Sequence, residues 1–185
     1  MRVIAGSLKG RRLTAPDWEG LRPTSDKVRE TLFNILAPRI AGARVVDAYA
    51  GTGAVGIEAL SRGARAVTFI ERDRRAQDLI GANLAHCRVA IGYTLVRSDV
   101  RRALEALARG EAADIILLDP PYEVSESEVA DVLAAAGELL TSGGIAVLEH
   151  ARRRQVPATA GRLVRARQVV SGGSALTFYG VLSAS

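Results

Sequence analysis

The sequence predicts an α/β fold built on a mostly parallel sheet, and three observations predict it. From residue 43 onward, short apolar runs rich in β-branched residues alternate with stretches of helical periodicity. A glycine-rich stretch, residues 51–56, follows the first of these runs. Each run suited to a parallel strand also ends at or near an acid: Asp47, Glu71, Asp99, Asp119 and Glu149 in turn. Ligands of open α/β sheets bind at the carboxyl ends of the strands, so this row of acids marks the expected site.

The elements follow in chain order. Residues 2–5 and 11–14 are expected to pair across 6–10 as a small basic hairpin. A helix is expected from Pro23, capped by Thr24 or Ser25, burying Val28, Leu32, Ile35 and Leu36 and ending at Pro38. The parallel strands are placed at 43–46, 66–70, 94–97, 114–118 and 145–148. Between them, Val100, Ala103, Leu104, Leu107 and Ala108 recur at helical spacing, with Gly110 as the stop. Val129, Val132, Leu133, Ala136, Leu139 and Leu140 repeat that spacing behind Ser125 and Glu128, a capping-box pair. Residues 163–170 and 175–182 flank Ser171-Gly172-Gly173-Ser174 and predict an antiparallel hairpin. The sheet then has seven strands with helices on both faces. Residues 1–40 form an amino-terminal extension and 41–185 the main domain.

Composition narrows the function classes. No apolar run approaches the ~18 residues of a membrane span, and the start turns polar too quickly for a signal peptide, so a cytoplasmic protein is expected. One cysteine excludes an internal disulfide, and with only two histidines no protein-held metal is expected. Charge is distributed unevenly. Residues 1–40 carry eight Lys/Arg against four Asp/Glu, 41–150 eleven against sixteen, and 151–185 six arginines and no acid. An acidic middle between basic ends suits a ligand-binding body flanked by surfaces for a polyanion.

Two motifs carry chemistry. Gly51-Thr52-Gly53-Ala54-Val55-Gly56 fits G-x-G-x-x-G, and Glu71 lies twenty residues past Gly51, where an acid can accept ribose hydroxyls. Alone, this equally suggests a nicotinamide dinucleotide. Asp47, four residues before Gly51, would repel a pyrophosphate yet suit an ammonium group, directly or through water. Tyr49 and Thr52 also leave the loop less bare than pyrophosphate contact prefers. S-adenosylmethionine, a net cation at neutral pH, fits such an acidic site. The second motif is Asp119-Pro120-Pro121-Tyr122. Adjacent prolines lack N–H groups and hold a rigid turn. The Asp119 carboxylate and Pro120 carbonyl can each take one hydrogen of a planar amine, aligning its nitrogen for methyl transfer. Asp119 would stabilise the charge arriving on that nitrogen. Tyr122 offers a face on which a flipped-out base can stack.

With these residues in view, the whole chain resembles the bacterial small-subunit (16S) ribosomal RNA guanine-N2 methyltransferases, the RsmD-like enzymes. The resemblance implies a Rossmann-like class I methyltransferase fold. It matches residues 47–56, the acid Glu71 with Arg72 after it, Ser98-Asp99-Val100 against the adenine, and 119–122 at the amine. Cofactor contacts are thereby implied for Asp47, Tyr49, Ala50, Gly51, Thr52, Gly53, Glu71, Arg72, Asp99 and Val100. The methyltransferase motifs are shared with enzymes acting on adenine, cytosine and protein glutamine. The segment 20–36 and the basic run 6–12 are what resemble this family in particular. They imply that Arg22 and Thr24 face the cofactor and that Lys9, Arg11, Arg12 and Arg29 contact RNA. The implied partner is small-subunit rRNA within an assembling particle, approached by a monomer.

Other residues receive plainer assignments. Cys87 is expected to be an apolar filler, His86 and His150 structural, and Glu149 structural as well; Trp18 is undecided between RNA and the hairpin. The alternatives are methyl transfer to DNA adenine or protein glutamine, a nicotinamide oxidoreductase, and a non-catalytic rRNA-binding assembly factor.

Overall fold

A computed structural model describes residues 1–16, 18 and 25–182. Five strands, β1 (Arg44–Ala48), β2 (Ala66–Glu71), β3 (Tyr93–Arg97), β4 (Ala113–Leu118) and β5 (Leu140–Ala151), run parallel. β6 (Thr159–Ala160), β7 (Leu163–Ser171) and β8 (Ser174–Val181) complete the sheet in antiparallel sense. The spatial order is β3-β2-β1-β4-β5-β8-β7-β6. The sheet thus has eight strands rather than seven. The extra one, β6, is two residues long and too short to carry an alternating pattern. β5 also begins five residues earlier than its apolar core at 145–148, because Leu140 pairs with Ala113 across a register shift.

Helices α1 (Asp26–Ile40), α2 (Ala54–Ser61) and α3 (Arg74–His86) cover one face. Leu32, Leu36, Ile57, Ile80 and Leu84 meet Val45, Val67 and Phe69 there. α4 (Val100–Leu107) and α5 (Glu126–Leu139) cover the other, with Val100, Leu104, Val129 and Leu133 against Val46, Ile70 and Ile116. The capping box of α5 forms as expected between Ser125 and Glu128.

At α1 the cap is Ser25, whose hydroxyl accepts from the Val28 amide at 3.2 Å. The expected stop at Pro38 does not occur; the helix continues to Ile40. A proline two residues before the end removes one hydrogen bond, and the buried Leu36 and Ile40 hold that last turn in place.

The expected amino-terminal hairpin forms over its first residues: Arg2 bridges Arg12, the Val3 amide donates to the Arg11 carbonyl at 2.9 Å and the Leu13 amide to the Met1 carbonyl at 3.0 Å. Contacts with α2 add to its order. The Glu58 carboxylate accepts the amides of Ile4 and Ala5 at 2.7 and 3.0 Å, and Ser61 Oγ accepts that of Leu8 at 2.9 Å. Val3 and Leu13 are buried in the core beneath α1–α3.

Candidate active site

β1 lies between β2 and β4, so the strand order reverses beside it, and a crevice opens at the carboxyl ends of these strands. Ala48 pairs with Leu118, which brings the chain after β1 next to Asp119. The cleft there measures about 1120 Å³ and is lined by all five acids of the row.

The glycine loop forms its floor. Gly53 caps α2 in the left-handed region (φ 75°), a conformation that costs little without a side chain. Gly56 is required for another reason: a Cβ there would lie 2.2 Å from the ring of Phe69 on β2, so this glycine sets the helix-to-sheet distance. Tyr49 is also left-handed (φ 63°), unusual for a bulky residue, and burial raises its phenol to about 12 with help from the charge of Asp99.

Asp47 is buried and accepts the Gly56 amide at 2.8 Å. A helix amino terminus ordinarily offers such amides to phosphate; here a carboxyl group already occupies that place. Burial raises Asp47 to about 8, with Asp119 and Glu71 adding repulsion. Burial thus opposes ionisation of Asp47, and a cation beside it would favour the charged form.

Glu71 is held by three amides: Gly51 at 3.0 Å, and Arg72 and Asp73 at 2.8 Å each. A carboxylate offers about four lone-pair sites, and with two amides on Oε1 and one on Oε2, an acceptor site stays open on Oε2. Asp99 caps α4 through the Arg102 amide at 3.3 Å and also lines the cleft. Capping and ligand contact are compatible at that residue. Arg72 and Val100 line the cleft as well, as do Ala50 and Thr52.

Asp119-Pro120-Pro121-Tyr122 leaves β4 into the cleft. Asp119 is half-buried, Pro120 buried, and Tyr122 59% exposed, leaving its ring free to be covered. The Val124 amide donates to the Pro121 carbonyl at 3.2 Å, closing the turn that presents the ring. Arg154 donates to the Val124 carbonyl and ties this turn to the chain beyond β5.

Some expectations fail or fall elsewhere. Arg29 does not face RNA. It is fully buried, donating to the Arg2 carbonyl at 2.6 Å and to Asp26 at 2.8 Å, because its position on α1 lies on the buried stripe with Val28 and Leu32. Burial lowers its pKa. Arg11 is half-committed, donating to the Cys87 carbonyl at 2.7 Å, while Lys9 and Arg12 are exposed. Arg22 and Thr24 lie outside the described residues. Trp18 lines the cleft with the Arg75 guanidinium 5.2 Å from its ring centre. His150 is structural, bonded to Thr177 Oγ1 at 2.8 Å, and Cys87 is a buried filler.

Three contributors were not anticipated. Glu149, assigned above to structure, lines the cleft. Gln77 donates to the Glu71 carbonyl at 2.7 Å. Asn83 is fully buried and bridges Thr14 to the Thr52 carbonyl, the latter at 3.0 Å, coupling the amino-terminal tract to the glycine loop. The signal for these two was available: Ala76, Gln77, Ile80, Asn83 and Leu84 fall on one helical stripe, and amides on an apolar stripe need partners.

The family described as "Conserved hypothetical protein 95" matches residues 1–180. The chain is 39% identical over 180 residues to "Putative rRNA methyltransferase YlbH" of Bacillus subtilis, covering 97% of this chain and 98% of that protein. It is 46% identical over 123 residues to ribosomal RNA small subunit methyltransferase D of Escherichia coli, covering 66% of this chain and 60% of that protein. The chain belongs to this RsmD-like family. Among solved structures of the fold, "Putative methyltransferase yhhF" of Escherichia coli superposes with a TM-score of 0.80 at 36% identity, covering 98% and 97% of the two chains. The RsmD-like likeness extends through the amino-terminal tract as well as the sheet, since the family match begins at residue 1.

Proposed function

We propose that this protein transfers a methyl group from S-adenosylmethionine to the exocyclic N2 amine of a guanine in small-subunit rRNA. One observation carries the reading: the amine-holding tetrapeptide 119–122 and the glycine loop open into the same cleft at the strand-order reversal. At about 1120 Å³ the cleft exceeds the ~300–1,000 Å³ usual for one small ligand, leaving room for a cofactor and a flipped base side by side. The donor set suits this cofactor: Asp47 toward its ammonium, Glu71 toward its ribose, Asp99 and Val100 toward its adenine.

When bound, the cofactor would supply an electrophilic methyl group on its sulfonium, and the amine proton displaced by methylation would pass to solvent. Asp119 and Pro120 orient the amine before transfer, which replaces a search in solution with a fixed approach. The Asp119 carboxylate opposes the positive charge that appears on nitrogen. Tyr122 covers the base and excludes water from one side. The position of Asp47 on the α2 amide favours a cationic ligand over a pyrophosphate and so argues against the nicotinamide alternative.

The test is incubation with methyl-labelled S-adenosylmethionine and naked rRNA, small subunits, duplex DNA or protein. Label is expected on N2 of a guanine in rRNA or small subunits. The variant Asp119→Ala is expected to lose ~10²-fold or more in turnover. Label confined to DNA or protein would refute the substrate, and undiminished turnover in the variant would refute the role of Asp119.

A further inference from the structure

Glu149 lies in the cleft, yet the transfer step above gives it no part. Its place follows from register. Leu148 of β5 pairs with Leu118 of β4, so the next residues, Glu149 and Asp119, stand side by side at the carboxyl edge. Neighbouring strands are ~4.8 Å apart, and residues in register point to the same face. Both side chains line the cleft. Burial first, and then the charge of Asp119, raise Glu149 to about 7, so the two carboxyl groups feel one another. Ser174, the first residue of β8, lines the cleft as well, and its hydroxyl favours the ionised form of Glu149. The site therefore presents a second acceptor directly beside the one that takes the amine.

The planar amines that such a site can hold differ in the atom next to the amine. In adenine it is N1 and in cytosine N3, both bare acceptors. In a glutamine amide it is the carbonyl oxygen, again an acceptor. Guanine alone places a donor, N1–H, beside its N2 amine. An N–H donor beside Glu149 favours its ionised form; that carboxylate accepts from the donor and repels the lone pairs of the other amines' neighbours, and a hydrogen bond to an ionised acceptor is roughly twice as strong as a neutral one. We propose that Glu149 accepts the N1–H of the target guanine and is the residue that selects guanine over adenine, cytosine and glutamine. The inference rests on the methyl-transfer reading and adds the physical basis of its base choice.

The experiment uses the full-length protein and the RNA or reconstituted particle in which wild-type protein labels a guanine. That position is prepared with guanine or with 2-aminopurine, which keeps the amine, has a bare nitrogen in place of N1–H and also lacks O6, so the change of the ratio in the Glu149 variant is what isolates N1. The readout is the ratio of kcat/KM on the two substrates, with affinity for S-adenosylmethionine measured separately by calorimetry. Wild-type protein is expected to favour guanine by ~10²-fold or more, since a site built around a substrate N–H rejects an analogue lacking it. In Glu149→Gln the amide can donate to the bare nitrogen, so the ratio should fall at least ~10-fold while cofactor affinity is retained. A purely structural Glu149 would lower both rates together and leave the ratio unchanged. An unchanged ratio in the variant overturns the inference, and so does a wild-type ratio near one, which needs no variant. Either result leaves methyl transfer standing; failure of the wild-type protein to label any guanine overturns the underlying reading and the inference with it.

Discussion

Asp47 shows how the ionisation of a single buried carboxyl group is linked to stability. Its pKa is raised to about 8 in the fold, mainly by burial, against about 3.9 in an unfolded chain. The folded protein thus retains a proton that the unfolded chain releases above pH ~4. The contribution of this group is fully favourable below pH ~4 and is lost as pH rises toward about 8. Asp47→Asn keeps an acceptor for the Gly56 amide and removes the ionisation. The variant should be more stable than wild type at pH 8.5 by on the order of a few kcal/mol, with the difference vanishing near pH 4. Urea denaturation at both pH values checks this; an equal difference at the two would contradict it. The same variant should bind S-adenosylmethionine more weakly, because it cannot recover a charge opposite the ammonium.

At the scale of elements, the seating of α2 on the sheet is set by a missing side chain. A Cβ at Gly56 would press on Phe69 and Val67, both buried and unable to retreat. Gly56→Ala is expected to cost roughly 1–3 kcal/mol, the range for overpacking a filled core. Gly81 in α3 gives the contrast, since a Cβ there meets nothing within 4 Å. Gly81→Ala should stabilise by up to ~1 kcal/mol through helix propensity. Denaturant midpoints of the two variants should therefore move in opposite directions; a shared direction would show that the close approach is not what fixes the helix. The connection between elements is polar as well as apolar. Asn83 on α3 and Glu58 on α2 hold the amino-terminal tract against the body, so the loop at 51–56 and the first strand-like turn form one packed unit.

At the scale of the whole molecule, charge separates by region. Acids converge on the cleft, while exposed arginines lie on β7 at Arg165 and Arg167 and on the turn before it at Arg162, and Lys9 and Arg12 are exposed on the amino-terminal tract. A polyanion approaching the cleft meets the basic exterior first. RNA affinity should accordingly fall steeply with salt, and each lost phosphate contact should reduce the slope of log K against log salt by ~0.7–0.9. Replacing Lys9 and Arg12 together by alanine should flatten the slope by roughly 1.4–1.8 without changing cofactor affinity. Arg29→Ala should instead lower stability, because that guanidinium is buried. A filter-binding titration over salt separates the two classes, and an unchanged slope in the double variant would remove the amino-terminal tract from the RNA surface.

The strand-and-helix alternation, the switch-point acids and the 119–122 turn were legible in the sequence because each is local: periodicity, a capping pair, two prolines in a row. So was the hairpin of β7 and β8, announced by its glycine turn. Long-range packing decided the rest. Arg29 looks like a surface cation in the sequence, and only its place against Arg2 and Asp26 shows it to be buried. The stop at Pro38 was overridden by the burial of Ile40, which propensity does not contain. Asp47 was legible as an acid beside a glycine loop; its proton depends on how completely the fold excludes water from it. Glu149 needed the register of β4 and β5 before it could be set beside Asp119. Local residue order places the acids, the glycine turn and the two prolines at particular strand ends. Which of those groups share a cavity follows from the fold, because pairing across the sheet and the dielectric inside it are properties of neighbours distant in the chain.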